Sequence, residues 1–122
     1  MPDKSTPEAH TEATTDDFAR LYAEWRYAKA TWDAQSYSPE FYAIGLPEDI
    51  DGDLCTATCD ALNAFLLHPA ATIRQLAVKL SVFRDEEIAD GWEKAPEIVL
   101  SLAADAHRIA ISCNLSKNMV VA

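Results

Sequence analysis

The chain has 122 residues, of which 49% are hydrophobic, and carries 20 acids against 10 bases for a formal charge of −10. That is the length of one domain with enough apolar surface for a real core, which excludes wholesale disorder. Three glycines are too few for the turns of an all-β domain, so an all-α fold is expected, and the negative charge disfavours nonspecific binding to nucleic acid or anionic lipid.

Residues 1–13 are polar and have no apolar stripe, which predicts a flexible N-terminal tail. Pro7 after Ser5 and Thr6 also suits a first helical position, so an earlier helix start is open. No apolar signal core and no long apolar run occur, so neither a signal peptide nor a membrane span is expected.

The longest helical pattern runs from Thr14 to Gln35. Phe18, Trp25 and Trp32 recur every seven residues, and Leu21, Tyr22 and Ala28 fall beside them as one stripe. Thr14 with Asp16 and Asp17 reads as a capped, acidic N-terminus. Asp16, Arg20 and Glu24 form an i,i+4 ladder on the wet side, and Tyr27 points away from the stripe.

Ser36 to Gly52 reads as the main loop, broken by Pro39, Gly45 and Pro47. Its Phe41, Tyr42, Ile44, Leu46 and Ile50 predict a loop folded back over the core, with a helical turn near Pro39–Ala43. A second helix is predicted over Asp51–Leu67, with Leu54, Cys55, Thr58, Ala61, Leu62, Phe65 and Leu66 on its inner face. A third starts at a Thr72/Gln75 capping box and carries Ile73, Leu76, Ala77, Leu80 and Phe83 inward, with Gly91 as a plausible end. A fourth is predicted over Pro96–Ser112. Its main stripe is Ile98, Val99, Leu102, Ala106, Ile109 and Ala110, and its second is Leu100, Ala104, His107 and Ile111. The resulting plan is a tail over 1–13, one helical domain over 14–113 and a C-terminal tail over 114–122.

The residue types that carry chemistry are scattered. His10, His68 and His107 lie far apart, and no Gly-rich phosphate loop or nucleophile motif occurs, so no catalytic residue is assigned. Asp49, Asp51 and Asp53 resemble a calcium loop, but its sixth position, counted from Asp49, is Leu54 rather than Gly. A helix N-terminus explains these acids better. Cys55 and Cys59 lie one turn apart without the further ligands that structural zinc requires, and they read as small apolar residues. No metal or cofactor is expected. Together with Cys113 the cysteines are an odd number, which fits reduced thiols in a cytoplasmic protein.

Two surfaces remain as candidates. Between Lys29 and Arg74 no Lys or Arg occurs, while Asp33, Glu40, Glu48, Asp49, Asp51, Asp53 and Asp60 are all acidic. With exposed aromatics such as Tyr37 or Tyr42 this stretch suits a basic partner or mimicry of DNA; an ordinary solvated acidic edge is the plainer alternative. The second stripe of the fourth helix, and Val78 and Val82 off the main face of the third, suit self-association. The partner-binding candidates are Tyr27, Asp49, Asp51, Asp53, Leu100, His107 and Ile111.

Thr72 to Asp90 resembles a helix-turn-helix DNA-binding module, with Leu76, Ala77 and Leu80 at packing positions and Arg74, Lys79 and Arg84 as bases. Ser81 stands where that turn usually has Gly, and the second helix would be rich in acids that repel phosphate. The run His68-Pro-Ala-Ala-Thr-Ile-Arg-Gln-Leu-Ala-Val-Lys-Leu80, after Leu21, Trp25, Trp32 and Asp33, resembles small uncharacterised bacterial helical proteins often found near phage-derived genes. That resemblance implies a helical fold and a bacterial cytoplasmic origin, and it brings no catalytic residue.

The reading is an all-α, small bundle of about four helices with one long aromatic-striped N-terminal helix. Its expected role is a non-catalytic acidic protein-interaction module for a protein partner or a second copy of itself. A helix-turn-helix-like regulator using Thr72–Asp90 is the alternative.

Overall fold

Few glycines and long 3.6-residue periodicities leave helices as the means of satisfying this backbone. A computed structural model describes the backbone over residues 7–121 and the side chains over 17–114. Its elements are α1 (Pro7–Ser36), α2 (Glu48–Leu67), α3 (Ile73–Asp85) and α4 (Ala95–Val121). No strand occurs among the described residues, so the chain is all-α as its composition predicts. It divides into two units, one ending at Phe65 and the other beginning at Leu66.

In the first unit, α1 begins at Pro7 and Thr14 lies inside the helix rather than capping it. Proline suits a helix start because its missing N–H would be unbonded there anyway. The Asp16 side chain lies outside the described residues; of the expected ladder the Arg20–Glu24 bridge is present at 3.0 Å, and Arg20 also bridges Asp17 at 3.2 Å. Phe18 and Trp25 are buried, and Leu21, Tyr22, Ala28 and Trp32 are half-buried, so the aromatic stripe is the inward face. Its counterpart is Phe65 of α2, which is fully buried. The Phe18 ring meets it edge-on at 5.1 Å, Tyr22 at 5.2 Å, and Trp25 lies parallel to it at 6.4 Å. Farther along, the Trp32 indole N–H donates to Asp51 Oδ1 at 2.9 Å.

Between α1 and α2 the expected helical turn is present: Tyr42 N–H bonds the Ser38 carbonyl at 2.8 Å, and Gly45 N–H bonds Phe41 at 2.7 Å. Gly45 closes it at φ 83, a left-handed value that a side chain would strain. Of the apolar residues expected to fold this loop back over the core, Phe41 and Leu46 are half-buried, while Tyr42, Ile44 and Ile50 are exposed. Helix α2 starts three residues before Asp51; the Pro47 carbonyl accepts Asp51 N–H at 2.9 Å, and Glu48, Asp49 and Asp51 occupy the first turn.

In the second unit, Thr72 caps α3 as predicted, accepting from Gln75 N–H at 3.1 Å, while Gln75 Oε1 accepts from Ala71 N–H at 2.8 Å. The buried face is rotated from the expected one. Leu76, Lys79 and Val82 are buried, whereas Ile73, Ala77 and Leu80 are exposed. Val82 therefore belongs to the core and Val78 is half-buried, so neither stands out as free surface. The cause is Lys79, a charged residue that a hydrophobic pattern places outside and that hydrogen bonding brings inside.

Helix α3 stops at Asp85 instead of running toward Gly91. Glu87 takes φ 55, its N–H bonds the Arg84 carbonyl at 3.1 Å, and Ile88 N–H bonds Phe83 at 3.1 Å. These are the two bonds of a Schellman motif, and the fully buried Ile88 is its hydrophobic seal. The left-handed position is held by glutamate, which loses conformational energy that glycine would not. Glu87→Gly is expected to raise stability by about 1 kcal/mol, read as a shift of the urea midpoint without change of slope.

Helix α4 runs to Val121, beyond the expected end at Ser112, so residues 114–121 continue the helix. The side chains of Met119, Val120 and Val121 lie outside the described residues. The inner face is Ile98, Ser101, Leu102, Asp105 and Ile109, and Val99, Ala106 and Ala110 of the expected stripe are exposed. The second stripe, Leu100, Ala104, His107 and Ile111, faces solvent.

Candidate functional site

The most concentrated polar chemistry lies inside the second unit. Lys79 of α3 and Asp105 of α4 are both essentially sealed from solvent. The Lys79 ammonium has three protons to give and gives all three: to Asp105 Oδ2 at 2.6 Å, to the His68 carbonyl at 2.8 Å and to Ser101 Oγ at 3.1 Å. Asp105 Oδ1 accepts from Ala70 N–H at 3.0 Å and from Arg108 Nη2 at 2.5 Å. Arg108 Nη2 also reaches the Ala70 carbonyl at 3.0 Å. The carboxylate thus ties the His68–Ala70 turn to both helices.

Burial is the largest influence on Lys79 and pushes its pKa below the ordinary lysine value; the hydrogen bond and charge of Asp105 oppose it. With every donor engaged, the ammonium has none left for a substrate. The arrangement does structural work, positioning a turn and fixing the register of α3 against α4.

This placement bears on the helix-turn-helix resemblance. Lys79 is inside, and α3 is followed by turns until Ala95 instead of a second helix. The residues Arg84 to Asp90 therefore do not form the recognition helix that the helix-turn-helix alternative would require.

The predicted partner-binding residues lie on three helices. Tyr27, 75% exposed, lines a shallow open depression of about 420 Å³ with Arg26, Lys29, Ala30 and Asp33, all of α1. Asp49, Asp51 and Asp53 are exposed on α2, although Asp51 already accepts from Trp32. Leu100, His107 and Ile111 are exposed on α4 of the other unit. One aromatic pair does meet: Tyr37 and Tyr42 are each 70% exposed with ring centroids 6.2 Å apart, and Ile44, two residues after Tyr42, is 80% exposed. Sequence flagged the two tyrosines singly. Their pairing depends on the Ser38–Tyr42 turn.

On α2 the Cys55 and Cys59 sulfurs face each other at 3.9 Å, both half-buried. Burial, then the hydrogen bond to Cys55, pushes the Cys59 thiol up to about 11. At neutral pH Cys59 is expected to alkylate with iodoacetamide roughly a hundredfold more slowly than an unperturbed thiol, since the thiolate is the nucleophile. Peptide mass spectrometry over time reads the rate. Among the described residues no cluster of three or more His, Cys, Asp or Glu is placed to hold a metal, and no helix is long and apolar enough to cross a membrane. No protein-family model, curated protein or solved structure matches the chain.

Proposed function

We propose that the protein is a non-catalytic, acidic interaction module whose partner is a basic segment of another protein. The observation that carries this reading is the exposed Tyr37–Tyr42 pair with Ile44, set in a stretch of chain where every charge is negative. Asp33, Glu40, Glu48, Asp49, Asp51, Asp53 and Asp60 are all exposed. Exposed aromatic side chains supply anchoring area at low entropic cost, and surrounding acids steer a basic partner and reject acidic ones. The odd, reduced cysteines fit a cytoplasmic setting, and the resemblance to small bacterial proteins makes a bacterial lysate the place to look for the partner.

The test is a pull-down from the native host with the wild-type chain and with a Tyr37→Ala/Tyr42→Ala variant of unchanged helicity. A partner held by the wild type, released by salt and lost with the variant is expected. Equal retention by both chains rejects the tyrosine pair as the anchor.

A second reading rests on α4, where Leu100 is 70% and Ile111 45% exposed beside His107, a face suited to a second copy of the chain. Light scattering at high concentration tests it, and a clean monomer removes it. The DNA-binding alternative has less support, because Lys79 is buried and Arg84 is engaged with Asp85 at 2.9 Å. A gel shift at low salt with no retarded DNA would end it.

A further inference from the structure

The cysteine pair of α2 is not used by the interaction surface, and its two free thiols face each other. Cys55 and Cys59 lie one helical turn apart with sulfurs 3.9 Å from each other, in the middle of Glu48–Leu67. A disulfide needs its Cβ atoms about 3.5–4.5 Å apart and its sulfurs at about 2 Å. Side chains one turn apart on a helix have Cβ atoms about 5–6 Å apart. Closing the bond therefore requires the turn to distort. That turn is held on its inner side by buried Thr58, whose hydroxyl bonds the Leu54 carbonyl at 2.8 Å, and farther along by fully buried Phe65. The helix keeps the sulfurs too far apart to bond each other and near enough to share one atom between them. Both are half-buried and so remain open to solvent on one side.

The described residues place no third or fourth ligand to make a metal-binding cluster. Hard cations want several oxygens and structural zinc wants four donors, so neither is served. Soft ions that bind thiolates strongly are served by two sulfurs.

We propose that Cys55 and Cys59 form a two-sulfur site on α2 for a single soft, thiophilic ion, of the class of trivalent arsenic or monovalent copper, bridged between their sulfur atoms. With a trivalent aryl arsenoxide the two thiols replace the oxygen on arsenic. Two As–S bonds form, the As–O bond breaks, and the two thiol protons leave with that oxygen as water; nothing is oxidised or reduced. With monovalent copper the two thiol protons pass to solvent and two Cu–S bonds form.

The test uses the full chain carrying Cys113→Ser, which leaves only the pair. Phenylarsine oxide is added in excess 2-mercaptoethanol, a monothiol that strips singly bound arsenic, and the intact mass is measured. The expected result is one phenylarsenic group per chain, with two hydrogens lost, unchanged helicity, and removal by a small dithiol. In a parallel arm monovalent copper is titrated against a chelating dye, with one copper withheld per chain. Uptake of either probe at one per chain supports the site, and which probe is held identifies the ion class. Cys55→Ser and Cys59→Ser, each checked for helicity, should each abolish uptake. Retention of neither probe overturns the proposal, as does undiminished uptake by either folded serine variant. Ready closure to a disulfide under mild oxidant with full helicity retained overturns its geometric basis.

Discussion

Asp105→Ala is expected to destabilise the protein by about 3–5 kcal/mol, the usual consequence of removing one partner from a buried ion pair. The change strands the Lys79 ammonium, which keeps the His68 carbonyl and Ser101 but loses its counter-charge. It also leaves Ala70 N–H without an acceptor and releases Arg108. Lys79→Ala should cost a similar amount, because the buried carboxylate then lacks its buried counter-charge. The double variant Lys79→Ala/Asp105→Ala should cost less than the sum of the single changes, since neither buried charge is then left without its partner. Urea unfolding of the four chains closes the cycle. A loss below about 1 kcal/mol for Asp105→Ala would mean that the pair is solvated, in the range of ordinary surface bridges.

The second large effect is expected at Phe65. Three aromatic rings of α1 converge on this fully buried side chain, and truncation to alanine removes its burial together with three ring contacts. Phe65→Ala is expected to cost about 3–5 kcal/mol, the range for large core truncations. Phe65→Leu should cost clearly less, because much of the volume is kept. Trp25→Phe offers a contrast within the same cluster. Trp25 is 4% exposed and its Nε1 is buried without a hydrogen-bond partner, so the change removes volume and also a donor that gains nothing from being inside. Its cost should fall well below that of Phe65→Ala in the same unfolding experiment.

These two sites differ in how far they were legible. The aromatic stripe of α1 and the face of α2 follow a 3.6-residue period with large apolar side chains, and Phe18, Trp25, Leu62, Phe65 and Leu66 are buried as that period requires. Capping chemistry is equally local: Thr72 and Gln75 announce the start of α3 in four residues. The ion pair could not be read this way. Lys79 and Asp105 are 26 positions apart, each looks like a solvent-facing charge, and only the folded arrangement of α3, α4 and the His68–Ala70 turn supplies the donors and acceptors that make burial tolerable. Missing that pair also misassigned the inner face of α3, since a hydrophobic count places Ile73 and Leu80 inside and Lys79 outside. The end of α3 was missed because the left-handed residue there is Glu87 and not the glycine that marks such ends.

On the functional side, the acidic run was visible as composition, and Tyr27, Leu100, His107 and Ile111 are exposed as their helix positions imply. The meeting of Tyr37 and Tyr42 depends on the backbone turn between them, which proline and glycine positions suggest without giving the direction of the side chains. The facing sulfurs of Cys55 and Cys59 were implied by their one-turn spacing, but their shared exposure was not.

The interaction surface itself is open to a direct measurement. Hydroxyl-radical footprinting of the chain, alone and with its captured partner, reports the accessibility of each side chain. Tyr37, Tyr42 and Ile44, now 70–80% exposed, should lose most of their labelling in the complex, while Leu100 of α4 keeps its own. Unchanged labelling of all three, with protection appearing on Leu100 and Ile111 instead, would contradict a binding face built on the acidic segment.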